Sequence, residues 1–414
     1  KYLNEKFYWD NTEKLLVYTL PETIVYADKR TLGNEGKPLI LEADDEIYLS
    51  VGLVCNYTDI HTEAYNAQEY KRIYVNASGN PKQVGSAKKE TELRVLGGIK
   101  SPVITIIPKD GTFCILEQMT EWSKVRTEDG FIGYIQNKRI KDIRTQRDND
   151  LFVEPLYNSI ALEKDVCLVW HQITTKEANK SLESLLATTK GVNVIAPTWF
   201  ALTDNKGNYL SFAEKEYVDL AHEKGIQVWA VLDNFNQGDD VKSEVLFSQT
   251  SVRKDLIAKL MEDVKTYEID GINLDIEGIK EEAGPHYVQF IRELSVSCRN
   301  EGVILSVDNY VPSPSTHFYN RAEQGRVADY VIIMAYDEHY AGGEAGSIAS
   351  LPYVKKGIED TILAVPKEKV ICAVPFYTRV WIEDDKTTTS SALGISAAKK
   401  WVEENQVELY WQEE

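Results

Sequence analysis

In the run Asp270-Gly271-Ile272-Asn273-Leu274-Asp275-Ile276-Glu277, an amide and two carboxylates recur at every second position. An extended strand turns successive side chains to opposite faces, so Asn273, Asp275 and Glu277 share one face. The intervening Ile272, Leu274 and Ile276 suit a strand whose other face is buried. Burying acids together is unfavourable, and their convergence points to joint chemistry. Two carboxyls this close resist ionising together, which keeps a proton on the pair at neutral pH. Such a pair, roughly 7 Å apart along the strand, suits proton transfer. The competing reading is a strand edge that carries its acids into solvent. Asp270-Gly271 marks the turn into the strand.

Other elements must hold that strand. Strand candidates fall at Val166–Ile173, Val192–Leu202, Gln227–Asp233, Gly271–Glu277, Val303–Tyr310, Tyr330–Asp337 and Val370–Tyr377. Amphipathic helices lie between them. In one, Val252, Leu256, Leu260, Met261, Val264 and Tyr267 line a single face; in the next, Tyr287, Phe290, Ile291, Leu294 and Cys298 do. This alternation predicts an α/β fold with parallel strands, as a doubly wound sheet or a (β/α)8 TIM barrel. The first strand is not followed by a glycine-rich phosphate loop, which disfavours a dinucleotide fold. Gln172, Trp199, Asp233, Asn234, Glu277, Asp308, Asn309, Tyr336, Asp337 and Tyr377 all fall near the carboxyl ends of strands. In a barrel that end is the rim where active sites assemble, so the barrel is preferred. An eighth strand is missing from the pattern. Val407–Trp411 alternates like part of an insertion, and the barrel is expected to be truncated at its C-terminus.

Residues 1–87 read as a small, mostly β module, from runs such as Lys14–Leu20, Glu46–Val51 and Lys71–Val75. Residues 88–146 hold five short strands with tight turns at Asp110-Gly111 and Asp129-Gly130, the pattern of a small barrel. The stretch Trp122–Tyr134 resembles bacterial SH3-like modules, which implies either a cell-wall peptide partner or a spacer role. A linker follows, and residues 163–414 carry the α/β domain. The 65 Asp and Glu against 46 Lys and Arg give a net charge of −19, which disfavours nucleic acid and anionic membrane as partners. No apolar run reaches bilayer length, so membrane insertion is not expected. The scattered Cys55, Cys114, Cys167, Cys298 and Cys372 form neither a disulfide framework nor a zinc pattern, and no metal or other cofactor is expected. The chain begins at Lys1 without a signal-peptide pattern and looks trimmed.

Three motifs in order then resemble glycoside hydrolase family 18, the chitinase-like enzymes. The signature D-x-x-D-x-D-x-E stands here as Asp270, Asn273, Asp275 and Glu277, with Asn where the family's usual residue is Asp. Met334-Ala335-Tyr336-Asp337 ends the sixth strand, and Val374–Trp381 ends the seventh. The likeness covers 163–414 and looks most like the bacterial branch associated with spore coats and cortex degradation. It implies a retaining hydrolase of β-1,4-linked N-acetylglucosamine glycans, exported to the cell surface or wall. Glu277 would be the general acid. Asp275 and Tyr336 would serve the substrate's own acetamide nucleophile, a known exception to the two-carboxylate scheme. Asp337, Asn273, Trp199, Tyr377, Arg379 and Trp381 are the expected sugar contacts, the tryptophans as stacking platforms. The third strand lacks the family's Ser-x-Gly-Gly run, which points towards peptidoglycan or cortex glycan rather than crystalline chitin. The alternative is a non-hydrolytic glycan-binding or wall-anchoring protein on the same barrel. Such relatives usually lose the general acid, whereas Glu277 is kept.

Overall fold

The computed structural model describes residues 7–33, 36–66, 71–77, 81–146, 153, 155–235, 241–384 and 387–410. The chain divides into two compact units, one of residues up to Tyr26 together with those from Leu156 onward, the other of Ala27–Pro155.

In the first unit seven parallel strands pair in chain order: Leu168–His171 (β1), Val194–Pro197 (β2), Gln227–Asp233 (β3), Gly271–Asp275 (β4), Ile304–Tyr310 (β5), Tyr330–Met334 (β6) and Val370–Ala373 (β7). The sheet curls as a half-barrel. No ladder joins β1 to β7 among the described residues. Between them lies a cavity of about 710 Å³ lined by Cys167, Trp170, Ile371, Ala373 and Phe376, among others.

Several strands are shorter than their apolar runs predict. β4 stops at Asp275 and β6 at Met334. The run 192–202 splits, with Phe200–Leu202 staying parallel to β3 on one side and pairing antiparallel with Tyr209–Ser211 on the other. Tyr377–Glu383 leaves the parallel sheet and pairs with Thr388–Gly394, followed by the helix Ile395–Glu404. Val407–Tyr410 form no strand, and Trp411 lies outside the described residues.

The inner strand residues alternate with an apolar set that packs outwards. Val228, Ala230, Leu232, Ile272, Leu274, Leu305 and Val307 meet Leu256, Leu260 and Val264 of the helix Thr250–Tyr267, and Phe290, Ile291 and Leu294 of the helix Gly284–Glu301. Each of the Val, Leu, Ile and Phe side chains among them contributes about 1.5–3 kcal/mol when fully buried. Gly271 is obligatory where β4 begins, since a Cβ there would stand 2.6 Å from Trp229 Cδ1.

The strand Tyr8–Asp10 belongs to this unit and secures the helix Thr250–Tyr267. Asp10 Oδ2 accepts from both Thr250 N and Thr250 Oγ1 at 2.6 Å, a helix cap supplied from 240 residues away. Five bonds then hold the wholly buried Arg253 in place, one of them to Thr250 Oγ1 at 3.0 Å. Glu293 receives three of them, and the carbonyl of Phe247 receives one at 2.7 Å.

The second unit is β-rich. Two hairpins (Ile40–Ala43 with Glu46–Leu49, and Ile60–Tyr65 with Arg72–Ala77) precede a seven-stranded antiparallel sheet running from Lys82–Ala87 to Ile140–Gln146. Leu93, Ile107, Phe113, Val125 and Ile135 form its core. No helix among the described residues is long and apolar enough to cross a membrane.

Candidate active site at the strand rim

β4 is central in the sheet, and its side chains meet those of both neighbours. The parallel register pairs Val231 with Asn273 and Asp233 with Asp275 across β3 and β4. Across β4 and β5 it pairs Asn273 with Ser306 and Leu274 with Val307, which sets Asp275 beside Asp308. Two layers result: Asn273 with Ser306 below, and Asp233, Asp275 and Asp308 in a row above.

Asn273 is fully buried and completely used. Trp170 Nε1 donates to its Oδ1 at 3.0 Å, while its Nδ2 donates to Ser306 Oγ at 2.9 Å and Asp308 Oδ1 at 2.8 Å. It is therefore a support beneath the acids, and its polar atoms are committed to protein rather than to a sugar. Asp270, at the opposite end of β4, accepts from Val228 N at 2.7 Å and pairs with His222, and serves the entry of the strand.

The acids above lie in a low-dielectric setting. Burial holds Asp275 well above the ordinary carboxylate range, and the charges of Asp308, Glu277 and Asp233 add to it, as does a side-chain hydrogen bond with Glu277. Burial pushes Asp308 up to about 8, against the hydrogen bond from Asn273, which pulls it down, and with the charge of Glu277 adding to the rise. Asp233 rises to about 6 through burial, opposed by the amide of Phe235. Two carboxyl oxygens, Asp275 Oδ1 and Asp308 Oδ2, are enclosed without a hydrogen-bond partner.

Glu277 lies two residues past the end of β4, half-buried, ahead of Gly278 at φ +64°. Its backbone is clamped by Asn234, whose Nδ2 donates to Glu277 O at 2.8 Å and whose Oδ1 accepts from Glu277 N at 2.9 Å. Tyr310, the last residue of β5, bonds the Glu277 carboxyl through its hydroxyl, which also accepts from Gly278 N at 3.1 Å. Asn234 and Asp308 were legible only as rim residues, and Tyr310 only as a strand end. Their contacts to the acids cross between strands, which a one-strand pattern does not show.

Tyr336, just beyond β6, is half-buried, and its hydroxyl is raised by burial and by the charges of Asp308, Asp275 and Glu277. The site thus gathers Tyr336 with the acids. Tyr377 lies against it at 6.3 Å between ring centroids and bonds Asp337, an exposed residue at φ 54°. Arg379 donates to Ser390 Oγ at 3.0 Å, and Trp381 Nε1 donates to Gly346 O at 3.0 Å, so the seventh-strand motif sits on the antiparallel arm. Trp199 departs from the expected stacking platform. It is wholly buried, packs edge-on against Tyr217 at 4.9 Å and donates to Asn179 Oδ1 at 2.9 Å, with no ring face left for a sugar. The chain turns inward there because Phe200–Leu202 pairs with both β3 and Tyr209–Ser211.

A curled parallel α/β sheet with clustered acids at its carboxyl rim defines a TIM-barrel-like protein. Residues 176–414 match the model of glycosyl hydrolases family 18, and the chain belongs to that family. The uncharacterized glycosylase YvbX of Bacillus subtilis is 30% identical over 212 residues, covering 48% of this chain and 60% of the relative. The cortical fragment-lytic enzyme of the same species is 22% identical over 148 residues, 34% of each chain. The chain thus spans less than two thirds of the length of these curated relatives. Among solved structures, the Bacillus cereus spore cortex-lytic enzyme SleL superposes with a TM-score of 0.53 at 19% identity, over 59% of this chain and 58% of that one. A chitinase from Chromobacterium violaceum superposes at 0.50 with 19% identity, over 58% and 76%. These two likenesses concern the fold.

Proposed function

We propose that the chain is a retaining glycoside hydrolase that cleaves β-1,4 bonds of N-acetylglucosamine glycans, with cell-wall or spore-cortex glycan as its substrate. The observation that carries this reading is the enclosed Asp275 carboxyl bonded to Glu277, within the field of Tyr336. In this reading Glu277 protonates the leaving oxygen while the substrate's acetamide oxygen attacks the anomeric carbon. The glycosidic bond breaks as the bond within the ring of a cyclic oxazolinium forms. Asp275 stabilises that cation and Tyr336 donates to the acetamide oxygen. Glu277 then takes a proton from water as the water opens the ring, and configuration is retained. Asp337, Tyr377, Arg379 and Trp381 border the sugar.

Relatives named for cortex lysis support the choice of glycan and a place outside the cytoplasm, at the wall or spore surface. The antiparallel sheet from Lys82 to Gln146 supports an SH3-like module over residues 88–146, with Lys82–Ala87 as an added strand and a wall peptide as its partner. The catalytic domain is assigned to 163–414.

Chitin oligomers, purified peptidoglycan and high-mannose N-glycans are incubated with the protein and the products identified by mass. The expected result is cleavage of an N-acetylglucosamine bond by the wild type and none by Glu277→Gln, with glycan binding retained by both. Binding without cleavage by the wild type would instead establish the glycan-binding alternative.

A further inference from the structure

We propose that Asp308 is the proton-sharing partner of Asp275, a positioning residue on the neighbouring strand that sets which form of Asp275 meets the substrate. The inference rests on the hydrolase reading and adds a residue to it.

The geometry starts from Asn273. Its orientation is fixed, because the indole N–H of Trp170 can only donate, and so its acceptor must be the amide oxygen. The amide nitrogen then faces Ser306 Oγ and Asp308 Oδ1. A donor at that point requires Asp308 Oδ1 to accept, so a proton on Asp308 can reside only on Oδ2. That oxygen is enclosed and without a partner, and so is Asp275 Oδ1. Buried polar atoms rarely stay unsatisfied. Here the two orphans belong to neighbouring acids on adjacent parallel strands, whose backbones run about 4.8 Å apart, and the charge of Asp308 raises Asp275. One proton held between them satisfies both.

The surroundings favour that proton. The titratable groups whose charges bear on the two carboxyls are Glu277 beyond β4, Asp233 on β3, Tyr336 beyond β6, and Tyr287 and Tyr319 from the outer layer. All of them are acids or phenols, and burial is the largest influence on both carboxyls. The pair therefore carries one proton and one negative charge. With the proton on Asp308 Oδ2, Asp275 is the ionised member and faces the developing cation. With the proton on Asp275, it donates instead. The proton moves within the pair, and no atom enters or leaves. Asn273 supplies the hydrogen bond that holds Asp308 in place but brings no charge of its own.

Asp308→Asn removes the partner charge and keeps the shape. Two readouts test it. In difference infrared spectra of the whole chain, the wild type should show a protonated-carboxyl carbonyl band at pH 7 that titrates away towards pH 8 and above. Asp308→Asn should lose that band or move it to lower pH. In kinetics, Asp308 is uncharged when Asp275 ionises, so Asp308→Asn should leave the acid limb of kcat/KM in place and remove the limb near pH 8 at which the pair loses its last proton, with KM nearly unchanged. Asn273→Asp combined with Asp308→Asn returns a carboxyl to the pair from below and should restore the limb. Should Asp308→Asn fail to fold, Asp275→Asn carries the same infrared prediction, with the surviving Asp308 band moved to lower pH. A wild type without the band, or variants with an unchanged band and profile, would overturn the pair. A wild type that shows the band but cleaves no glycan would overturn the hydrolase reading and leave the pair standing.

Discussion

The sharpest handle on Glu277 is Asn234, which touches only its backbone. The side chain closes a two-bond clamp, donating to Glu277 O at 2.8 Å and accepting from Glu277 N at 2.9 Å. The clamp matters because Glu277 has left the sheet and has no ladder to hold it. Each bond contributes about 1 kcal/mol net, so Asn234→Ala removes about 2 kcal/mol of local order. At about 1.4 kcal/mol per tenfold, the held conformer falls by a factor of about thirty relative to loosened ones. Glu277 must be within hydrogen-bond reach of the leaving oxygen to donate, so kcat should fall about ten- to thirtyfold. KM should stay within about twofold, since the Asn234 amide is spent on the backbone rather than on substrate. The assay is initial-rate release of reducing ends from a defined oligomer, alongside thermal unfolding to confirm the fold. Wild-type kcat in Asn234→Ala would refute the clamp. A change in KM alone would place Asn234 on the substrate instead.

Tyr310→Phe removes the hydroxyl that bonds the Glu277 carboxyl and receives Gly278 N, and should lower kcat about tenfold with little change in melting temperature; unchanged turnover would make it a packing residue. Trp199→Ala should cost about 3–5 kcal/mol of stability in urea titrations, the range for emptying a buried aromatic site. Trp199→Phe should leave glycan affinity unchanged, and a marked loss of affinity there would put the ring back in the sugar site. The raised Asp308 gives a stability signature with a definite sign. Its folded form keeps a proton, up to about pH 8, that the unfolded chain releases near the ordinary carboxyl value of 3.8. The folded state thus binds more protons across that window, and this contribution is full at the acid end and is lost as pH rises towards 8, by up to about 1.4 kcal/mol per pH unit. Urea titrations between pH 5 and 8 should show a flatter decline in Asp308→Asn, and an identical slope would contradict the assignment.

What the sequence showed depended on whether a feature was local. β3 has the bounds expected from Gln227–Asp233, because an unbroken apolar run between polar ends leaves no other stopping point. In β4 the two-residue rhythm located Asn273, Asp275 and Glu277, but not where the ladder stops. The strand leaves the sheet after Asp275, so Glu277 needs Asn234 and Tyr310 to hold it. Trp199 looked like a rim residue because its run, Val192–Leu202, reads as one strand. The break at Pro197 and the side hairpin are set by pairing with β3 and Tyr209–Ser211, a tertiary choice. The cap that Asp10 places on Thr250 joins residues 240 apart, and no pattern of either segment announces it.

Two buried charged clusters in this unit separate what the fold needs from what it tolerates. Arg253 and Glu293 are both fully enclosed, and their charges are of opposite sign and joined by three hydrogen bonds. Such a pair can offset its own desolvation, though an apolar replacement often serves stability as well or better. The row Asp233, Asp275 and Asp308 has no such balance. At about 5 Å and an effective dielectric of about 20, two ionised neighbours in that row repel by about 3 kcal/mol before desolvation is counted. Apolar residues at these inner-face positions would avoid that penalty. Folding alone gives no reason for three adjacent strands to carry acids at the same level, two of them with an unsatisfied oxygen. Proton chemistry does, because a carboxyl that can neither be solvated nor paired is one whose proton is free to be shared, and that is the property a substrate-assisted hydrolase would draw on at this rim.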